Sequence, residues 1–285
     1  MSSPTTSTPS PESTAPERGT ERRSNLQMVR LAVFYLALVA AAAMTVLFLG
    51  ELFLLLALGW TAGAGAELGI HRLHVMGIAA VVLTFVLGLF AQAYRPKRRV
   101  AAMWGSFLVI LVVTAGTLGF GVGRPEEVVP FFVLTGVALL THPAGRGLFR
   151  RGESYSPALL ALVAVAAVPL LAFAVNQFSL SGSATDPHAV DSHYVMMAGL
   201  AVAPIAYGAF AAFGFAGWRL AAWLAALPMA YYGAMSIAFP LQSGSTGAMW
   251  GVAAILWAVA FVVVAEYARV TPENTTLRRE FARAG

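Results

Sequence analysis

The sequence has no cysteine and very little charge, and both absences narrow the classes of protein to which it can belong. The lack of cysteine excludes disulfides, thiolate metal sites and cysteine nucleophiles. Only 11% of the 285 residues are charged, whereas a soluble domain usually carries about 25%. Because 59% of the residues are hydrophobic and the mean hydropathy is +0.75, the composition indicates a protein whose apolar surface lies in a lipid bilayer.

Long apolar runs occupy most of the chain, and a helix needs about 20 such residues to cross a bilayer. The runs predict an all-α, polytopic integral membrane protein with eight transmembrane helices. The predicted spans cover residues 29–50, 72–93, 101–122, 128–143, 156–176, 193–214, 218–239 and 247–268.

The first run is longer than one span, since apolar residues continue from Leu31 to Ala66 with Glu51 as the single charge. One straight helix of this length would overshoot the bilayer. Two spans would need a sharp turn near Glu51, and no Pro, Gly or Asn cluster marks one. We therefore predict one span followed by an outer segment over 51–70, for which a helix lying in the membrane interface is one arrangement.

Composition also divides the chain along its length. Residues 1–26 are rich in Ser, Thr and Pro and have little apolar content to bury, which predicts a disordered cytoplasmic tail rather than a cleaved signal peptide. Residues 27–150 and 151–270 then form two four-helix membrane halves, and 271–285 form a cytoplasmic C-terminal tail.

Basic residues are concentrated in alternate loops, which predicts the orientation of the chain in the cell membrane. Eight spans with a cytoplasmic N-terminus place nearly all of the basic residues on the cytoplasmic side, together with the C-terminus. The net charge of +5 therefore reflects membrane topology, and no motif indicates binding to nucleic acid.

A weak internal repeat relates the two predicted halves. The segments beginning at His74 and at His193 each contain a histidine at an outer helix end, a span, an inner turn bearing arginine, and a next span that opens with Ala and Trp. Spans 2 and 3 would then correspond to spans 6 and 7, which predicts two pseudo-symmetric halves.

Histidines and acids gather at the predicted outer ends of spans 2 and 6. Glu67, His71 and His74 stand at i, i+4 and i+7, and a helix would place them on one face. Imidazole is the usual ligand of haem, and with carboxylates it also suits copper, zinc or iron. We predict His71, His74 and His193 as cofactor ligands.

The loop before span 6 supplies the second part of the predicted site. It contains Asp186, His188 and Asp191, which with Glu67 complete a candidate metal-binding set. The alternative interpretation is simpler: polar and charged residues occur at span ends because they face water or lipid headgroups there. Titratable groups at a membrane edge also suit proton transfer.

The segment Glu67-Leu-Gly-Ile-His71-Arg72 and the span that follows resemble the heme A synthase family. The basic turn RPKRR and the Gly-rich end of span 3, TAGTLGFGVG, are similar to that family's layout as well. The resemblance implies eight spans in two halves, His71 as an axial haem ligand, Glu67 as a catalytic or structural acid, and His193 as the matching ligand. The family also has histidines in spans 4 and 8 of its fold, and the corresponding outer ends here have none.

Three functions follow as hypotheses. The first is a haem- or copper-associated protein of respiratory electron transfer or terminal-oxidase biogenesis, which would work beside other membrane subunits of a respiratory complex. The second is a transporter or permease with a site between the halves. The third is a non-catalytic subunit whose small-residue helices pack against partner helices.

Overall fold

The computed structural model describes residues 17–61, 66–153, 155–183 and 185–270, and these residues fold as a bundle of α-helices. The helices are α1 (Glu17–Leu58), α2 (Ala66–Phe90), α3 (Val100–Phe120), α4 (Pro125–Thr141), α5 (Pro157–Leu180), α6 (Pro187–Val190), α7 (His193–Ala212), α8 (Trp218–Ala238) and α9 (Gly247–Val270). Short 3₁₀ turns occupy 91–93, 96–98 and 145–149. The prediction of an all-α fold is confirmed for the described residues.

Local signals explain most of the helix ends. Pro125 and Pro157 stand in the first turns of α4 and α5, where a missing N–H costs nothing. The hydroxyl of Ser156 accepts a bond from the N–H of Leu159 and so caps α5. Gly121 follows α3 with φ of 64°, a left-handed conformation that favours glycine.

The N-terminal region differs from its prediction. Helix α1 runs without a break through Glu51 to Leu58 and α2 starts at Ala66, so the predicted outer segment over 51–70 begins as a continuation of the first helix. The position of this segment outside the membrane stays a prediction. Helix α1 also begins at Glu17, within the predicted tail over 1–26. Residues 1–16 and the predicted tail over 271–285 lie outside the described residues. No proline interrupts the α1 sequence, and its two glycines, Gly19 and Gly50, are isolated, which accounts for its length.

Seven of the helices are long and apolar enough to cross a membrane: α1, α2, α3, α5, α7, α8 and α9. The fourth predicted span forms α4, which has 17 residues and is shorter than these seven. Helices α2, α3, α7 and α8 form the interior, since 61–78% of their apolar windows is buried. The windows of α1, α5 and α9 are only 22–28% buried, so their outer faces are available to lipid.

Helices α2 and α7 pack closely enough to bring their first turns together. A Cβ added at Gly77 would lie 2.7 Å from the sulfur of Met197, so the missing side chain of Gly77 permits this approach. Leu73, Met76 and Leu200 fill the same buried core. This contact places the predicted histidine ligands of α2 and α7 close together at one end of the bundle.

Candidate functional site

Four imidazole rings meet where α2, α6 and α7 begin or end. The ring centroids of His71 and His188 are 4.4 Å apart, those of His74 and His188 are 4.6 Å apart, and those of His71 and His193 are 5.1 Å apart. His193 lies 5.8 Å from His188 and 6.0 Å from His74. We call these four residues the histidine cluster.

Three short structural features position the rings. Helical spacing in α2 places His71 and His74 one turn apart on the side facing α7. The Asp186 carboxylate accepts a bond of 2.9 Å from the N–H of His188 and starts the single turn of α6, which projects His188 over α2. Ser192 then turns the chain with φ of 61°, so that α7 begins at His193.

Asp186 orients the ring of His188. The hydroxyl of Tyr194 donates a bond of 2.7 Å to one carboxylate oxygen, and Nδ1 of His188 lies 3.0 Å from the other. The bond from Tyr194, with that from His188, holds the pKa of the Asp186 carboxyl below its usual range. Because the ionised carboxylate only accepts hydrogen bonds, Nδ1 of His188 carries a proton, and the neutral form of this ring would present a lone pair on Nε2.

Several ring nitrogens of the histidine cluster are buried without a hydrogen-bond partner. His74 is fully buried, and neither of its ring nitrogens has a hydrogen-bond partner. Nε2 of His188 and Nδ1 of His193 are also buried without a partner. An unpartnered buried polar group costs about 1–3 kcal/mol, so a protein that keeps several together needs another partner for them.

A glycine-containing loop closes the cluster from the side of α8 and α9. Gly244 lies against the ring of His74, where an added Cβ would come 2.9 Å from Cε1. Its φ of 83° is in the left-handed region, which also favours glycine. The hydroxyl of Tyr232 donates a bond of 2.7 Å to the Gly244 carbonyl and fixes the loop.

The spacing of the rings matches what one metal ion would need. With a metal–nitrogen distance of about 2.0–2.1 Å, four imidazoles arranged as a tetrahedron have ring centroids about 5.2 Å apart. The observed separations of 4.4–6.0 Å bracket this value. Among the described residues, however, no three His, Asp or Glu side chains already stand in a coordination shell. Binding would therefore require the rings to rotate so that their nitrogens converge on one point.

The remaining predicted ligands are placed differently. Asp186 contacts His188 and Tyr194, which is the position of an outer partner rather than a direct ligand. Asp191 is exposed and lines a neighbouring cavity. Glu67 belongs to α2, but its side chain lies outside the described residues. The assignment of all seven residues as ligands stays a prediction.

The fifth histidine shows what a satisfied buried imidazole looks like in this fold. His142 follows α4, and its Nε2 lies 3.2 Å from Oε1 of Gln92 while its Nδ1 accepts a bond from the N–H of Ala144. Both nitrogens are used, so His142 has a structural role and does not belong to the cluster.

Sequence reasoning missed three residues that shape the site. Tyr194 fixes Asp186, Gly244 encloses His74, and Ser192 sets the direction of α7. The run Ser-Gly-Ser-Thr-Gly over 243–247 was the available signal for a close backbone approach. Tyr194 had no signal beyond its position next to His193.

Comparison of the chain with family models, curated proteins and solved structures finds no match. The resemblance to the heme A synthase family therefore depends on the quoted motifs alone and stays a prediction.

Proposed function

We propose that this multi-pass membrane protein binds one transition-metal ion, with copper preferred, through the histidine cluster. The observation that carries the proposal is the convergence of four imidazoles with unpartnered, buried nitrogens on His74, His188 and His193. Neutral imidazole is the commonest metal ligand in proteins. Among divalent ions, nitrogen sites bind Cu²⁺ most tightly.

A bare ion fits these residues better than haem does. Two imidazoles that ligate one haem iron stand on opposite faces of a wide, flat ring. Here His188 lies 4.6 Å from His74 and 5.8 Å from His193, so it occupies the space that the macrocycle would need between them. The proposal therefore retains the copper part of the sequence-based hypothesis.

The proposed membrane arrangement has eight spans, with α4 as the short fourth one, and both termini in the cytoplasm. The loop charges support this orientation, which puts the cluster at the non-cytoplasmic end. A role in respiratory electron transfer or oxidase biogenesis is part of the same proposal. The position of the cluster at one end of the bundle, rather than at the midplane, favours metal binding over a transporter site.

Metal titration of the full chain in detergent tests the proposal. The protein is loaded with Cu²⁺, desalted and assayed for bound metal, and a parallel sample is loaded with Zn²⁺. The His74→Ala and His193→Ala variants are assayed in the same way. We expect one tightly bound copper per chain and its loss in both variants. The matched control is His142→Gln, which alters a buried histidine at the other end of α2 and should retain the metal.

Three results would overturn the proposal or redirect it. Substoichiometric metal in the wild-type protein would remove it, and so would equal loss of metal in the His142→Gln control. A Soret band that disappears in His74→Ala would replace the ion with haem. The sequence-based alternatives are checked separately, by uptake into proteoliposomes for a transporter and by co-purification with an oxidase for a packing subunit.

A further inference from the structure

A second feature adjoins the histidine cluster: a cavity of about 500 Å³ between α1, α2, α3, α4 and the start of α7. Its volume is within the range of about 300–1,000 Å³ that is typical of ligand sites. Phe48, Phe85 and Phe131 contribute aromatic rings to walls that are otherwise aliphatic. Phe48 is itself 65% exposed on α1, so this wall of the cavity borders the lipid.

The polar groups of the cavity are concentrated at one end. His193, Ser192, Asp191, Arg124 and Glu127 line this end together. His193 is therefore shared, since it belongs to the histidine cluster and also faces the cavity. An imidazole has two ring nitrogens, so one can bind a metal while the other forms a hydrogen bond.

Ser192 is the second, independent indication of a ligand. Its side chain is more than nine-tenths buried, and its hydroxyl has no hydrogen-bond partner. The residue adopts φ of 61°, which is unusual for serine and marks a position where the surrounding structure enforces strain. Gly123, which also lines the cavity, has no side chain and so leaves room for the Ser192 hydroxyl.

The charges at the polar end restrict the head group of the ligand. Arg124 donates to Glu127 at 3.0 Å, so these two charges largely neutralise each other. Asp191 remains as a negative charge, which disfavours an anionic head. The buried Ser192 and the half-buried His193 are both able to donate and accept hydrogen bonds, which suits an uncharged hydroxyl.

We propose that this cavity binds a lipophilic phenol or hydroquinone from the membrane, with its hydroxyl at Ser192 and His193 and its hydrocarbon tail toward α1. The aromatic walls match a flat ring, and the lipid-facing wall gives such a molecule a route from the bilayer. This inference rests on the proposed function in one respect: the ligand head would meet the metal site through His193. Binding to the cavity itself does not require the metal.

Binding of an alkyl hydroquinone with a ten-carbon tail to the full chain in detergent tests this inference. Two probes with the same tail serve as comparisons, decanoic acid with an anionic head and phenyldecane with no polar head. We expect saturable binding of the hydroquinone and at least tenfold weaker binding of both comparison probes. Equally tight binding of decanoic acid would overturn the assignment of the head group.

Two variants locate the site. Val82→Phe fills the apolar body of the cavity and should weaken hydroquinone binding at least tenfold. Its matched control is Ala166→Phe, which fills a separate apolar cavity of about 370 Å³ between α5, α7, α8 and α9 and should leave binding unchanged. Loss of binding in Ala166→Phe but not in Val82→Phe would contradict the proposed location.

Ser192→Gly keeps the test decisive if Val82→Phe does not fold. Glycine accepts the positive φ at this position and removes only the hydroxyl, so the variant should fold and bind the hydroquinone about fivefold to tenfold more weakly. Unchanged binding in Ser192→Gly would overturn the contact with the head group. Copper titration of the same variants separates the two proposals: hydroquinone binding without stoichiometric copper refutes only the metal site, and the reverse result refutes only the cavity.

Discussion

Replacing His74 with leucine should stabilise the metal-free protein, which is the opposite of what a core substitution usually does. His74 is fully buried with both ring nitrogens unpartnered, and each such group costs about 1–3 kcal/mol. Leucine has a similar volume and no polar atom. We expect His74→Leu to gain about 1–3 kcal/mol in the free energy of unfolding, or a rise of about 2–5 °C in Tm.

Copper should reverse this order of stability. A ligand at one thousand times its Kd stabilises the folded state by about 4.1 kcal/mol, which exceeds the gain expected from leucine, and only the wild-type protein can use that contribution. The assay is thermal unfolding of the full chain in detergent, with and without Cu²⁺. We expect His74→Leu to be the more stable protein without metal and the less stable one with it.

The control for this experiment is His142→Leu. This substitution leaves Oε1 of Gln92 and the N–H of Ala144 without their partner, so it should destabilise the protein by about 1–3 kcal/mol with or without copper. The reasoning is refuted if His74→Leu destabilises the metal-free protein as much as His142→Leu does. It is also refuted if copper raises the Tm of His74→Leu as much as that of the wild-type protein.

Three further predictions concern the surroundings of the cluster. Asp186→Asn should weaken copper affinity about tenfold to a hundredfold because His188 loses its orienting carboxylate. The control Asp191→Asn, at an exposed position, should leave copper affinity unchanged, and equal losses of affinity in the two variants would contradict the role of Asp186. Gly244→Ala should lower Tm and copper affinity because its Cβ would press on His74. Gly247→Ala is the control, since Gly247 has a similar φ of 82° but open space around it; an equal loss of affinity in this control would indicate that backbone strain, and not contact with His74, causes the effect. The bonds from Tyr194 and His188 depress the pKa of Asp186, so the ionised carboxylate stabilises the folded protein fully above its unfolded pKa of about 3.9, and this stabilisation is lost as the pH falls through the lower folded pKa. The stability of Asp186→Asn should therefore converge with that of the wild-type protein at low pH. A constant difference in stability at every pH would refute this linkage.

The helices were largely predictable from the sequence because apolar runs and flanking Pro and Gly residues fix their ends. The extent of α1 was not predictable, because the predicted span boundary near Glu51 follows from the thickness of a bilayer and does not indicate where the helix itself ends. The short helix α6 was also missed, because one turn set by Asp186 and Pro187 has no periodic pattern.

The site divides in the same way. Helical spacing grouped His71 with His74, and the loop sequence grouped His188 with Asp186, but the sequence alone did not determine which rings would touch. That information comes from the packing of α2 on α7 at Gly77 and Met197, and from the return of Gly244 over His74. These contacts join residues more than a hundred positions apart, where local patterns carry no signal.

Pulsed EPR of the Cu²⁺-loaded protein, prepared with ¹⁵N-labelled histidine, tests most directly whether imidazoles from α2 and from α7 bind one metal ion. We predict coupling of the copper to three or four histidine nitrogens in the wild-type protein, and loss of this histidine-coupled signal in both His74→Ala and His193→Ala. A spectrum without histidine coupling, or one that is unchanged by either substitution, would contradict a shared site between the two helices.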